Sequence, residues 1–237
     1  MSIKSSIKRH APRSIHFMYN RAISRRVIRG KVGSWFDTEW KTRAVNADDR
    51  TWIEVYDESW ENWTAPDLSQ VDIDLILKEI PDRASVIDVG CGDGFLLNAI
   101  RRKAGSLSGV DISSKALLSA KSNLKYPANF VQAFGEHLPY ADNSFDVAIC
   151  THTLEHVREP ELTAAEMARV ARLIVVILVP RQEFLPYTED YHLNFFPDEK
   201  SLIDSVKLPN AKCVRHTISE GEQNFAGDIL LLTAEQA

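Results

Sequence analysis

The stretch Val86-Ile-Asp-Val-Gly-Cys-Gly-Asp-Gly-Phe-Leu-Leu97 decides the fold. It sets three glycines, Gly90, Gly92 and Gly94, within five residues, between two apolar runs. Glycine costs about 0.5–1 kcal/mol relative to alanine inside regular structure, so a cluster of three serves a turn or a ligand. SVIDV before the cluster reads as a strand and FLLNAIRRK after it as a helix. Two acids, Asp88 and Asp93, frame the loop. A phosphate cradle favours amides and lysines over carboxylates. The dinucleotide pattern G-x-G-x-x-G would need its third glycine where Phe95 stands, and no Gly-Lys-Ser/Thr follows. Acids at the loop suit a ligand that offers donors and positive charge.

Strand and helix go on alternating outward from this loop. LSGVDI reads as a second strand, SSKALLSAKSNL as a helix capped by Ser113, NFVQAF as a third strand and FDVAICT as a fourth. PELTAAEMARVA reads as a helix with proline in its first turn. The continuous apolar run Leu173 to Pro180 fits a strand buried on both faces. DEKSLIDSV is a short helix, and KCVRHTI with GDILLLTA forms a closing antiparallel pair. Upstream, Val71 to Ile80 gives a helix with a broad apolar face, ended by Pro81. Alternation of this kind predicts a parallel sheet with helices on both faces, binding its ligand at the carboxyl ends of the strands.

Composition narrows the class. The 237 residues are enough for one large domain and an appendage. No run approaches the roughly 20 apolar residues of a membrane span. Three cysteines, Cys91, Cys150 and Cys213, without paired spacing point to a reducing compartment and no disulfide framework. The net charge of −5 conceals an asymmetry. Residues 1–36 carry nine of the 28 Lys/Arg and no acid, leaving 19 basic against 33 acidic residues in the remainder. The basic arm reads first as a solvated or partly helical extension. Peripheral contact with a membrane surface and a mitochondrial transit peptide are the alternatives. An acidic body argues against a nucleic-acid groove. All five tryptophans, Trp35, Trp40, Trp52, Trp60 and Trp63, lie between residues 35 and 63. That segment is too aromatic for a free linker, so it is expected to pack on the main domain or cover a pocket as a lid. The division expected is an extension over 1–67 and a catalytic-type domain over 68–237.

VIDVGCGDGFL resembles motif I of the class I S-adenosylmethionine-dependent methyltransferases. The resemblance runs from Ser85 to Pro180, toward the small-molecule branch of that family. VDIS places Asp111 where the family keeps its ribose-binding acid, 23 residues after Asp88. GEHLPYADNSFDVAICTHTLEHV resembles the family's acid-Ala-Glu-x-Leu-Pro-Phe stretch, its following strand and a Leu-Glu-His helix start. The resemblance implies a Rossmann-like α/β fold: a seven-stranded, mostly parallel sheet with helices on both faces and an antiparallel C-terminal strand pair. It implies S-adenosylmethionine as cofactor and S-adenosylhomocysteine as product. Asp88, Gly90, Cys91, Gly92, Asp111, Ile112, Phe134, Gly135 and Thr151 would then hold the cofactor, with Phe134 and Gly135 near adenine. Asp93 either caps the next helix or touches the cofactor. The sequence departs from the family at Phe134, where an acid often accepts from adenine, and at RVARLIVV, which lacks a Pro-Gly-Gly turn.

The resemblance further implies methyl transfer to a small molecule, in first place a hydroxyl of a sugar or secondary metabolite. A quinone-type C-methyltransferase and a non-catalytic binding protein of the same fold are the alternatives. His152 and His192 are the acceptor-side candidates, His192 within the loop PYTEDYHLNFF alongside Tyr187, Glu189 and Tyr191. His156 is expected to pack under a helix. Thr151-His-Thr-Leu154 differs from the Asn/Asp-Pro-Pro-Tyr/Phe of amino-methylating enzymes, and no Pro-Cys nucleophile occurs. His152-Thr-Leu-Glu-His156 also matches the H-x-x-E-H signature of zinc peptidases. That reading requires both histidines on one helix, and the strand running up to His152 opposes it. No region in the sequence offers a third ligand in context, so no metal is expected. The expected location is cytoplasmic, or the mitochondrial matrix if the arm is a presequence.

Overall fold

The computed structural model describes residues 44–62, 68–184, 191–218 and 227–236. The basic arm, Trp35, Trp40, Trp63, Tyr187 and Glu189 lie outside the described residues. A short 3-10 turn at Ala44–Asn46 precedes α1 (Asp49–Asn62) and α2 (Gln70–Glu79). The alternating part runs β1 (Ser85–Val89), α3 (Phe95–Ile100), β2 (Ser106–Asp111), α4 (Ser114–Asn123) and β3 (Ala128–Gln132). It continues through β4 (Phe145–Thr151), α5 (Pro160–Val170), β5 (Ala171–Pro180) and α6 (Glu199–Val206). The antiparallel pair β6 (Lys212–Ile218) and β7 (Gly227–Glu235) closes the fold.

Among the described residues, seven strands form one sheet in the order β3-β2-β1-β4-β5-β7-β6. The first five are parallel, and β7 runs antiparallel between β5 and β6. Chain order reverses between β1 and β4. That crevice, at the carboxyl ends of the strands, is where such sheets take ligands. The glycine loop leaves β1 at this point.

Period-two alternation fills both faces. Ile87, Ala148, Ile177 and Leu230 turn to one side, under α5 and α6 with Met167, Val170 and Leu202. Val86, Ile149, Leu178 and Leu231 turn to the other, under α2 and α3 with Ile76, Leu97 and Ile100. The β5 run is apolar at both parities because both of its faces are buried, and each fully buried Leu or Ile there contributes about 1.5–3 kcal/mol. Local signals fix the helix ends. Ser69 and Asp72 form a capping box on α2, Asp198 and Ser201 a second on α6, and Pro160 opens α5. α5 passes straight into β5 at Ala171, the short connection that RVARLIVV predicts.

Two sequence expectations are corrected. α3 stops at Ile100, and Arg101 to Lys103 form a turn whose Lys103 N–H returns to the Ile100 carbonyl. The Leu-Glu-His stretch starts no helix: residues 154–156 form a turn, and the next helix begins at Pro160. No helix among the described residues is long and apolar enough to cross a membrane.

Candidate functional site

The glycine loop is held open by its own backbone. The amides of Gly90 and Cys91 both donate to the Val110 carbonyl, at 2.8 and 2.9 Å, tying the loop to the end of β2. Gly90 has φ +80° and Gly92 φ +52°, a region that side chains strain to enter. A Cβ on Gly90 would lie 2.2 Å from Thr153 Oγ1, and one on Gly92 2.5 Å from the Trp60 indole. The loop is therefore walled by the turn after β4 on one side and roofed by α1 on the other.

Asp111 ends β2 beneath this loop. Its Oδ2 accepts from the Gly92 amide at 2.9 Å and its Oδ1 from the Ser113 amide at 2.8 Å. Each oxygen keeps a further lone pair for a ligand hydroxyl. Burial raises the Asp111 carboxyl to about 6, with these two amides opposing the shift. Asp88 lies deeper, 1% exposed, with Oδ1 lacking any hydrogen-bond partner among the described residues. Burial first, then the Asp111 charge, raises it to about 8. A buried carboxylate oxygen left without a partner is costly, and a cationic or donor-rich ligand relieves that cost. Asp93 accepts from the Phe95 amide at 3.2 Å, which is a turn at the start of α3. Cys91 is buried and packs toward Gly109 of β2, giving that glycine its reason for lacking a side chain.

The other side of the chamber is aromatic. Trp52, Val55 and Tyr56 of α1 pack with Ile112, Phe134, Tyr191 and Leu193 in one apolar group. The Arg158 guanidinium lies 5.0 Å from the Phe134 ring centre and 4.9 Å from that of Trp52. The acid that Phe134 displaces from its usual place has a neighbour in Glu136, but its Oε1 is engaged by the Arg158 and Glu159 amides. Gly135 is pressed between Val89 and Thr163, so a side chain there would collide with Thr163 at 2.9 Å. Tyr56 carries a buried hydroxyl without a hydrogen-bond partner among the described residues. Burial raises its pKa well above the usual value, reinforced by the charges of Tyr191, Glu155, Asp111 and Glu136.

That turn gathers the histidines. Thr151 ends β4, buried, and His152 follows with φ +47°, fixed by its amide to the Leu178 carbonyl at 2.9 Å. His152 Nδ1 stands 3.7 Å from Glu155 Oε1. Burial, then His192, lowers the His152 imidazole to about 4, so it is neutral at pH 7. His156 sits in this turn, beside α1. Its ring meets His192 edge-on at 4.7 Å and Tyr56 edge-on at 6.2 Å. His152 and His192, singled out 40 residues apart in the sequence, thus share one cluster. Sequence reasoning missed the contributions of Tyr56, Arg158 and Asp57, and nothing local in the sequence announces them.

The residues fit S-adenosylmethionine on three counts: the raised carboxyl of Asp111 at the strand end, the partnerless oxygen of Asp88, and glycines whose Cβ positions are filled by neighbours. A methyltransferase domain family matches residues 87–174, from β1 into β5. Over that stretch the chain is similar to a methyltransferase domain. Its curated relatives include the ubiquinone biosynthesis O-methyltransferase of Paracidovorax citrulli, 34% identical over 37% of this chain and 39% of that protein. The enzyme of the same name in Albidiferax ferrireducens is 39% identical over 32% of each. The chain thus spans about a third to two fifths of the length of these relatives. Among solved structures, a methyltransferase of Aquifex aeolicus superposes with a TM-score of 0.57 at 18% identity, covering 81% of this chain and all of that one. The matched stretch includes both acids, Asp88 in β1 and Asp111 at the end of β2.

Proposed function

We propose that this chain transfers a methyl group from S-adenosylmethionine to a hydroxyl oxygen of a small molecule, and that the acceptor is a hydroxylated ring of the quinone-precursor class. The observation that carries the reading is Asp111, a buried carboxylate at the end of β2 whose two oxygens are aimed by the Gly92 and Ser113 amides. The names of the curated relatives favour a quinone-type acceptor with methylation at oxygen, in preference to a sugar hydroxyl or a ring carbon. Aromatic groups from Tyr56 and Trp52 suit a flat ring more than a sugar.

The cofactor, when bound, supplies an electrophilic methyl on a sulfonium. Asp111 accepts the paired ribose hydroxyls, and Phe134 with Ile112 flanks the adenine. Asp88, at the foot of the loop, favours the amino-acid end. Gly90 and Gly92 let the backbone approach. Tyr56 and His192 border the acceptor side. His152, held neutral by burial, orients the acceptor and is too weak a base at about 4 to drive proton removal alone. Alignment in a dry chamber supplies most of the rate enhancement in such an in-line transfer.

The test is transfer of labelled methyl to a panel containing dihydroxybenzenes, simple sugars and unmethylated benzoquinols. Label on the phenolic oxygens is the expected result. Label confined to sugars or to ring carbon overturns the acceptor class. No label on any acceptor, from protein that binds the cofactor, reduces the chain to a binding protein.

A further inference from the structure

The turn after β4 and the segment entering α6 meet in a set of ligands that the cofactor chamber does not use. Glu155, His156 and His192 each offer one ligand atom, and these atoms lie within 4.8 Å of one another. Glu155 and His192 are buried, and His156 is half-buried. The geometry points to a site for one divalent transition ion, of zinc-like softness, held by the Glu155 carboxylate and the His156 and His192 imidazoles.

The surrounding hydrogen bonds make this a built site. The Leu193 and Asn194 amides both donate to the Glu155 carbonyl, at 2.8 and 2.9 Å. The Asn194 side chain donates to the Leu154 and Val157 carbonyls, at 3.1 and 2.8 Å. Four hydrogen bonds therefore clamp two segments 40 residues apart, and the clamp is what brings His192 to Glu155 and His156. His192 Nδ1 faces Gln182 Oε1. A carboxamide oxygen only accepts, so Nδ1 carries the ring proton and Nε2 presents its lone pair. Metal-binding histidines are oriented in just this way by an acceptor on the far nitrogen. Gln182 is itself anchored through its amide to the Phe196 carbonyl at 3.0 Å.

The donor set selects the ion. Two imidazoles and one carboxylate suit zinc, cobalt, iron or manganese better than magnesium or calcium, which favour oxygen alone. Three protein ligands leave a coordination position open, the pattern of catalytic and not structural sites. The H-x-x-E-H spelling is thus met by a different geometry from that of a peptidase helix: His152 follows the end of a strand, His156 sits in a turn, and His192 supplies the distant ligand. His152, with Nδ1 at 3.7 Å from Glu155 Oε1, stands beside the carboxylate as a third imidazole.

Tyr56 of α1 meets the His156 ring edge-on at 6.2 Å, so the cluster adjoins the aromatic side of the site. A use for the ion follows, resting on the methyl-transfer reading. A phenolic hydroxyl at the open position gives up its proton to water more readily. Its oxygen then bonds to the methyl carbon as the carbon–sulfur bond breaks, and that electron pair stays on sulfur as a thioether.

Cobalt(II) and zinc(II) titrations of the chelator-stripped full chain test the site, by calorimetry and by the visible absorption of cobalt. The expected result is one-to-one saturation in the micromolar range or tighter, with cobalt bands of low-symmetry nitrogen and oxygen ligation. His192→Ala and His156→Ala should each weaken binding at least 30-fold. Both variants should keep the parent's S-adenosylmethionine affinity, which certifies the fold and isolates this result from the methyl-transfer reading. Gln182→Leu, which removes only the acceptor, should weaken metal binding by about 10-fold or more. No saturable binding to the folded parent overturns the site. So does binding that survives both histidine variants.

Discussion

The carboxylate of Asp57 in α1 accepts a hydrogen bond of 2.7 Å from the hydroxyl of Ser113, 56 residues further along the chain. It also accepts from the Ser114 hydroxyl at 3.1 Å and the Lys115 amide at 3.2 Å. Ser113 meanwhile caps α4 by accepting from the Ala116 amide. Asp57 is thus a second cap on α4, supplied by the helix that roofs the glycine loop. A negative charge at a helix N-terminus is favourable there. The bond holds Trp60 and Tyr56 of the same helix over the chamber.

Asp57→Ala should therefore cost about 1–2 kcal/mol, or roughly 2–8 °C in Tm. It should also raise the rate at which a protease cuts within residues 49–62. Thermal melts and limited proteolysis check this together. An unchanged Tm with unchanged cleavage contradicts a role for Asp57 in seating α1.

Gly90→Ala meets two obstacles at once. Its φ of +80° disfavours any side chain, and the new methyl would fall 2.2 Å from Thr153 Oγ1 and 2.3 Å from Thr153 Cγ2. The expected loss is about 2 kcal/mol or more of stability, larger than the conformational cost alone. Thr153→Gly combined with it removes the collision but not the backbone strain, so denaturant melts should show partial recovery. Full recovery contradicts the strain, and none contradicts the collision.

Proton linkage gives a third expectation. The folded-state values of Asp88, about 8, and Asp111, about 6, lie above the ordinary carboxylate range. Between pH 4 and 8 the ligand-free folded chain then binds more protons than the unfolded chain. Its stability falls as pH rises through that window. Ribose hydroxyls donate to the ionised Asp111, so cofactor affinity moves the other way. It should rise about fourfold from pH 5.5 to 7.5 through Asp111 alone, with net proton release on binding. Titrations in buffers of different ionisation heat measure the protons. Proton uptake on binding, or a pH-independent affinity, contradicts the assignment, and Asp111→Asn should abolish this part of the dependence.

Much of the fold is legible in the sequence because its signals are local. FDVAICT matches β4 end to end, and Ser113 and Pro160 mark their helices at the residues expected. The acids at the ends of β1 and β2 follow from motif spacing. What fails is where a local pattern meets a tertiary constraint. Leu-Glu-His carries helix-forming residues, yet the Glu155 carbonyl is taken by the Leu193 and Asn194 amides, so the backbone turns and no helix continues. His192 does lie in a loop, as its sequence implies, but only the folded chain shows that it faces His156. Asp57 and Tyr56 were invisible for a related reason, since α1 gains its meaning from what it covers. The carboxylate that serves α4 looks in the sequence like any acid on a solvated face.

The measurement that tests the central claim most directly is calorimetric titration of the full chain with S-adenosylmethionine and S-adenosylhomocysteine, beside Asp111→Ala. Saturable one-to-one binding of both ligands is expected. The variant should be weakened by about 1–3 kcal/mol, the cost of leaving ribose hydroxyls and loop amides without their acceptor. No binding by the folded parent, or equal affinity in parent and variant, would contradict a cofactor held between Asp111 and the glycine loop.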